Sequence, residues 1–140
     1  MAPSAGGLTV LDEERCLRLL AGSYLGRVAV SIDGEIAVLP VNFRLHDAAI
    51  VFLSDDGAKL GSARRTATAS FEVDGWGEVY QSGWSVLVVG LLEEVTAPDE
   101  VEQLRSLPLR AWAPGSRTHV LRLRPRRITG RAFRLRGAGT

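Results

Sequence analysis

A single lysine, Lys59, and a single asparagine, Asn42, stand among sixteen arginines, and both lie in segments that could do chemistry. Lys59 belongs to Gly57-Ala58-Lys59-Leu60, a glycine opening onto a predicted helix over 58–65. Free N–H groups and the dipole at such a helix start favour an anion, so the Lys59 ammonium and the Ser54 hydroxyl are candidates to hold a phosphate group. Asp55 and Asp56 work against this, because they are negative and an aspartate capping the helix would compete for its donors. Asn42 sits within Leu39-Pro40-Val41-Asn42-Phe43, an otherwise apolar strand. Turned inward, its amide needs backbone or a ligand as partner. Alternation with Val41 and Phe43 equally allows it to lie outside. A composition that replaces Lys and Asn so thoroughly suggests that the two survivors serve specific chemistry.

The remaining reactive side chains are less promising. His46 falls in a predicted turn and His119 in a basic strand, both structural or exposed positions, and no catalytic residue or metal site is named. The one cysteine, Cys16, cannot form an internal disulfide and reads as a buried small hydrophobe on a helix face. Eight of the arginines lie between Arg117 and Arg136. Leu121-Arg122-Leu123-Arg124 alternates at period two, the pattern of a strand with one solvated face. Such a strip could bind a phosphate polymer, but it lacks the interleaved aromatics of single-strand platforms. A net charge of +1 likewise disfavours nucleic acid and membrane surfaces.

These residues need elements to position them. At 140 residues the chain fits one domain, expected over 8–136, with Gly/Ala-rich tails at 1–7 and 137–140. Thr9 and Asp12 resemble a capping box before a helix over 10–21, closed by Gly22. Strands are expected at 26–32 and 35–45 around the Asp33-Gly34 turn, then at 49–53 after His46-Asp47. Pro40 must occupy a bulge or an unpaired position. After the 58–65 helix come a strand at 68–73, a loop at 74–78 with Trp76, and a long strand at 82–94. A helix at 97–107, capped by Thr96, precedes a loop at 108–115 holding Trp112, and strands at 118–124 and 128–135 straddle Pro125. The run Ser82-Gly83-Trp84-Ser85-Val86-Leu87-Val88-Val89-Gly90 shows no clear alternation, which implies burial on both faces and a second subunit outside. The whole reads as mainly β with short helices, a six- to seven-stranded antiparallel barrel. No apolar stretch approaches membrane-spanning length and no signal-peptide pattern opens the chain, so a cytoplasmic location is expected.

In this order, Leu25-Gly26-Arg27-Val28-Ala29-Val30, the Leu39 to Phe43 segment, Asp56-Gly57-Ala58-Lys59-Leu60, Phe71-Glu72-Val73-Asp74, Ser82-Gly83-Trp84-Ser85-Val86 and Ile128-Thr129-Gly130-Arg131 resemble the pyridoxamine 5′-phosphate oxidase-like FMN-binding split-barrel family, especially its small bacterial members. The likeness implies a split barrel and a homodimer with FMN at the subunit interface. Leu39, Pro40, Val41 and Asn42 would then line the isoalloxazine ring, and Leu53, Ser54, Ala58 and Lys59 would approach the ribityl phosphate. Ser85 would reach the flavin from the other subunit, and Arg131 occupies a flavin-side position. Ala58-Lys59 stands where the vitamin-making oxidases carry Arg-Lys, and residues 38–43 lack their basic side chains, so a pyridoxal-phosphate substrate is not expected. The implied activity is an FMN-dependent oxidoreductase of a small molecule. An F420-dependent reductase of the same fold, or a cofactor-free dimeric interaction or nucleic-acid-binding module, remain the alternatives.

Overall fold

A computed structural model describes residues 7–77, 81–109 and 119–134. Among them the chain forms β1 (Leu8–Leu11), α1 (Glu13–Ala21), β2 (Leu25–Ile32), β3 (Glu35–His46), β4 (Ala49–Ser54), α2 (Ala58–Arg64), β5 (Thr68–Gly77), β6 (Ser82–Glu94), α3 (Pro98–Arg105) and β7 (His119–Arg134). Every pairing is antiparallel. The order β7-β4-β3-β2-β5-β6 returns to β7, which closes a barrel, and β1 adds to the outside of that ring.

Local chemistry accounts for the turns. Asp33 (φ 50°) and Gly34 (φ 82°) form a two-residue hairpin with both φ positive, and Ile32 faces Glu35 across it. Inside the barrel, alternate residues Val28 and Val30, Val41 and Phe43, Ile50 and Phe52, Phe71 and Val73, Val86 and Val88, and Leu121 and Leu123 form one core. Phe43 and Phe71 meet edge to face at 4.7 Å. A second, smaller core lies outside the barrel wall, where Val51, Val95, Leu104 and Val120 pack α3 against β4 and β7.

Some expected boundaries move, each for a physical reason. The first helix starts at Glu13 because Asp12 is its N-cap, accepting from the Arg15 N–H at 2.8 Å. Thr9 and Val10 instead pair with Ala132 and Arg131 as part of β1. Thr96 does not cap α3: Ala97 holds the N-cap position without a side-chain bond, and Pro98 supplies the first helical residue. The expected loop at 74–78 is strand as far as Gly77, because Gly75 pairs with Trp84 and Trp76 with Gly83, each indole lying beside a glycine. Pro125 interrupts nothing. It sits opposite Gly90 at a bulge where the β6–β7 register shifts, so the two expected strands are one. The 110–115 part of the expected loop, with Trp112, and residue 118 of the next strand lie outside the described residues, as do residues 1–6 and 135–140.

Burial of the 82–90 run on both faces does not hold within this chain. Val86 and Val88 point into the core, while Leu87 on the opposite face is 40% exposed. Leu25, Ile36 and Val38 are also exposed, on the outer face of the β2–β3 hairpin. The β7 arginines that alternate with core leucines are engaged by carboxylates. Arg122 bonds Glu93 at 2.8 Å and Glu100 at 2.6 Å, and Arg124 bonds Glu93 at 2.6 Å. Partial burial opposes the charge on Glu93, but the Arg122 and Arg124 bonds outweigh it and hold the carboxyl below its ordinary value.

Gly26 tests the barrel packing. A Cβ there would lie 2.2 Å from the Phe71 ring, which the core holds on its other side. Gly26→Ala should therefore lower unfolding free energy by about 1–3 kcal/mol, read from the urea midpoint at unchanged m-value.

Candidate functional site

Residues 39–43 lie in the half of β3 where the barrel splits. β3 pairs with β2 over 35–42, whereas its pairing with β4 covers only 43–46. The Phe43 N–H donates to the Tyr24 carbonyl at 2.8 Å, so the backbone groups of Phe43, Val41 and Leu39 face β2. Those of Pro40 and Asn42 face the other edge. Pro40 therefore costs no ladder bond there, as its missing donor requires.

Alternation also decides where the side chains go. Val41 is buried in the barrel core and Leu39 packs against it, and the backbone groups of both are turned to β2, so neither presents a free polar group to the open edge. Asn42 is on the outer face, which settles its two possible orientations. It lines a cleft of about 610 Å³ with Tyr24, Arg44, Pro108 and Leu109. The Arg44 guanidinium lies 4.0 Å from the centre of the Tyr24 ring and donates to the Phe43 carbonyl at 3.1 Å. Sequence reasoning missed Tyr24 and Arg44. The signal was the two-residue step from Asn42 to Arg44, which puts both on one face.

The second expected group surrounds α2. Leu53 packs under α3, and Ser54 is buried, its hydroxyl donating to the Asp55 carbonyl at 2.9 Å. Ala58 packs against the barrel core. Lys59 is half-buried, and among the described residues no carboxylate lies within ion-pair distance of it. Burial lowers its pKa, only partly offset by Asp55, so the ammonium stands desolvated and short of a counter-ion. Gly57 (φ 142°) leads into α2 with no side-chain cap, and a Cβ there would meet nothing within 4 Å. With only seven residues, α2 is too short for its dipole to matter much, so Lys59 is the group that suits an anion. One buried carboxylate oxygen of Asp55 has no hydrogen-bond partner. Asp56 is turned onto His119, whose other ring nitrogen meets Glu94.

Ser85 and Arg131 form the third group, directly opposite each other on β6 and β7. Arg131 is exposed, with no ion pair among the described residues. In the closed ring β6 is three strand spacings from β3 in either direction. The two half-sites are thus on opposite walls, about 14 Å of sheet apart at ~4.8 Å per strand. One chain cannot bring Asn42 and Ser85 onto the same flat ligand. A separate cleft of about 530 Å³ lies among Arg15 on α1, Trp76, Trp84 and Phe133. Cys16 is buried against Gly130, and burial, with Asp12 and Glu13 nearby, pushes its thiol pKa up, as suits an inert core group. Among the described residues no three His, Cys, Asp or Glu side chains are placed to hold a metal ion, and no helix is long and apolar enough to cross a membrane.

Comparison with known proteins places this arrangement. The family model described as pyridoxamine 5′-phosphate oxidase matches residues 12–132. The chain belongs to that family. An uncharacterized Mycobacterium tuberculosis protein, Rv0080, is 30% identical over 132 residues, covering 91% of this chain and 86% of the relative. Among solved structures, the FAD binding protein from Mycobacterium smegmatis is 31% identical with a TM-score of 0.78, covering 91% of this chain and 99% of the other. A FAD-binding protein from Mesorhizobium loti is 25% identical with a TM-score of 0.77, covering 89% and 97%. The family's split barrel is the fold found here, and flavin-binding proteins are among its structural neighbours.

The state of Lys59 gives a prediction for the cofactor-free protein. Its folded-state pKa is below the ordinary lysine value, so the folded form binds the proton less well than the unfolded one. The resulting penalty is complete at neutral pH and is relieved as pH rises through the folded value towards about 10.4. Lys59→Met should leave the Tm unchanged or raise it, and should flatten that alkaline rise. A clear fall in Tm would mean that the ammonium already has a partner.

Proposed function

We propose that this protein binds FMN at the seam between two copies of the chain and acts as an oxidoreductase on a small electrophilic molecule. The observation that carries this reading is the opposed placement of the two half-sites. Pro40 and Asn42 lie on one side of the barrel and Ser85 and Arg131 on the other, while α2, which carries Lys59, packs against β2, β6 and β7. Only a second copy can bring the two sets together. The exposed Leu25, Ile36, Val38 and Leu87 are apolar surface for that copy to cover.

The residues present suit a flavin mononucleotide. The open backbone edge and Asn42 amide would meet the ring's polar rim, and the Lys59 ammonium would meet the phosphate, regaining the counter-ion that burial makes valuable. Bound there, the flavin supplies the hydride or electron chemistry itself, so the chain needs only to bind and orient it. FAD is the alternative favoured by the two solved relatives, since both are FAD-binding proteins. The deazaflavin F420 would use the same wall.

Fluorescence titration of the purified protein with FMN, FAD, riboflavin and F420 tests the reading. FMN or FAD should bind at micromolar concentration or below. Lys59→Ala should weaken FMN by about 10- to 100-fold and riboflavin by less than about threefold, because only FMN presents a phosphate to the cation. Equal losses would remove Lys59 from the phosphate site, and absence of binding by all four would end the flavin reading.

A further inference from the structure

The cleft of about 530 Å³ beside α1 shares no residue with either half of the proposed flavin site. Trp76 on β5, Gly83 on β6 and Phe133 on β7 stand in one row across the sheet, because Trp76 is opposite Gly83 and Gly83 is opposite Phe133. The glycine between them lets the two rings lean together, their centres 5.7 Å apart and their planes 25° from parallel. A Cβ on Gly83 would lie 2.8 Å from the Phe133 ring and 3.1 Å from the Trp76 ring. Trp84 is laid over Gly75 in the same way, a Cβ there falling 2.6 Å from the indole Nε1. Trp76 is nevertheless 52% exposed, so the rings form an aromatic surface that is open to solvent.

The lining carries one charge, the Arg15 guanidinium. Arg15 is exposed on α1, and among the described residues no carboxylate lies within ion-pair distance of it. Of the acids close in sequence to the lining, Asp12 accepts the Arg15 backbone N–H at 2.8 Å, Asp74 accepts from Arg27 at 3.2 Å, and Glu13 and Glu14 do not reach the cleft. The other polar side chains there are the Trp84 indole, which only donates, and the Ser82 hydroxyl. Flat rings, a planar fork of donors and no negative group select a flat, conjugated anion. Stacking takes its body, and the guanidinium takes its carboxylate through two parallel bonds.

Ser85 and Arg131 stand two residues along β6 and β7 from Gly83 and Phe133, on the same face and about 7 Å away at ~3.4 Å per residue. The cleft therefore borders the half-site that a second copy would bring to the flavin. We infer that it is the pocket for the protein's small molecule, a planar conjugated acid held by Arg15 and stacked on Trp76 and Phe133. The inference rests on the flavin reading for one consequence, that the bound acid lies beside the flavin, but not for the binding itself.

Calorimetric titration of the cofactor-free protein with 2-naphthoate, its uncharged isostere 2-naphthamide and the non-aromatic cyclohexanecarboxylate tests the pocket. 2-Naphthoate should bind below about 1 mM and about tenfold more tightly than either comparator. Arg15→Gln should weaken 2-naphthoate about tenfold and 2-naphthamide less than about threefold, whereas Trp76→Leu should weaken both about tenfold. Both side chains are exposed, so both variants should keep the wild-type Tm. Equal affinity for 2-naphthoate and 2-naphthamide, or 2-naphthoate binding that neither substitution weakens, overturns the inference. If Trp76→Leu weakens self-association in sedimentation and leaves 2-naphthoate affinity unchanged, the rings are an interface between copies and the pocket is again overturned. With flavin bound, saturating 2-naphthoate should shift the flavin absorption band in wild type, and an unchanged band overturns the placement beside the flavin. Arg15-dependent 2-naphthoate binding by a protein that takes up no flavin leaves the pocket standing and ends the flavin reading alone.

Discussion

The structure depends on the pairing of β6 with β7. β7 runs for sixteen residues and pairs with β6 over 121–134, while its other edge is shared, β4 taking 119–123 and β1 taking 130–133. This one ladder closes the sheet into a barrel, and closure removes the exposed edges that would otherwise invite aggregation. It survives Pro125 because the bulge opposite Gly90 absorbs the missing donor. A Cβ on Gly90 would lie 2.0 Å from the Arg124 carbonyl oxygen, so the close approach there needs a glycine. Closure also creates the split. With β7 occupied, β4 follows β3 for only four residues, and the half of β3 that carries Pro40 and Asn42 keeps an open edge.

That geometry links fold to chemistry. Buried alternate residues on every strand fill the interior, so no ligand can enter the barrel and any site must be built on its outer wall. Asn42, Ser85 and Arg131 are all on that wall, but on opposite sides of it. A closed six-strand ring thus turns a list of candidate residues into two half-sites, and a partner becomes a geometric requirement of the proposed function. The half-buried Lys59 and the orphaned Asp55 oxygen beside it show that the α2 entrance is electrostatically unfinished in the isolated chain.

The acidic residues near Lys59 take different roles. On sequence alone, Asp55 and Asp56 both count against a phosphate at this position. In the fold, Asp56 is drawn onto His119, which also meets Glu94 on β6, itself bonded by Arg64 on α2. Its charge is thereby spent away from the lysine. The β7 arginines are similarly less available than their number suggests, since Glu93 and Glu100 engage Arg122 and Arg124. That pairing weakens the case for a nucleic-acid face.

Strand and turn positions were legible in the sequence wherever the signal was local. The Asp33-Gly34 hairpin, the limits of β6 at 82–94 and the alternation of Leu121 and Leu123 follow from φ preferences and a period of two, which act within a few residues. The family likeness was legible for the same reason, as short motifs in a fixed order. Where competing local signals met, the reading slipped: Thr9 and Val10 fit a helix cap by pattern, yet pairing with β7 made them strand. Which way Asn42 points, that Arg44 stacks on Tyr24, and that Asp56 and Glu94 both meet His119 were decided only by tertiary structure. These contacts join residues 20 to 63 apart in sequence, and no local preference encodes them. Barrel closure does, by bringing β4, β6, β7 and the entrance to α2 to one end of the molecule and leaving the outer wall for a partner.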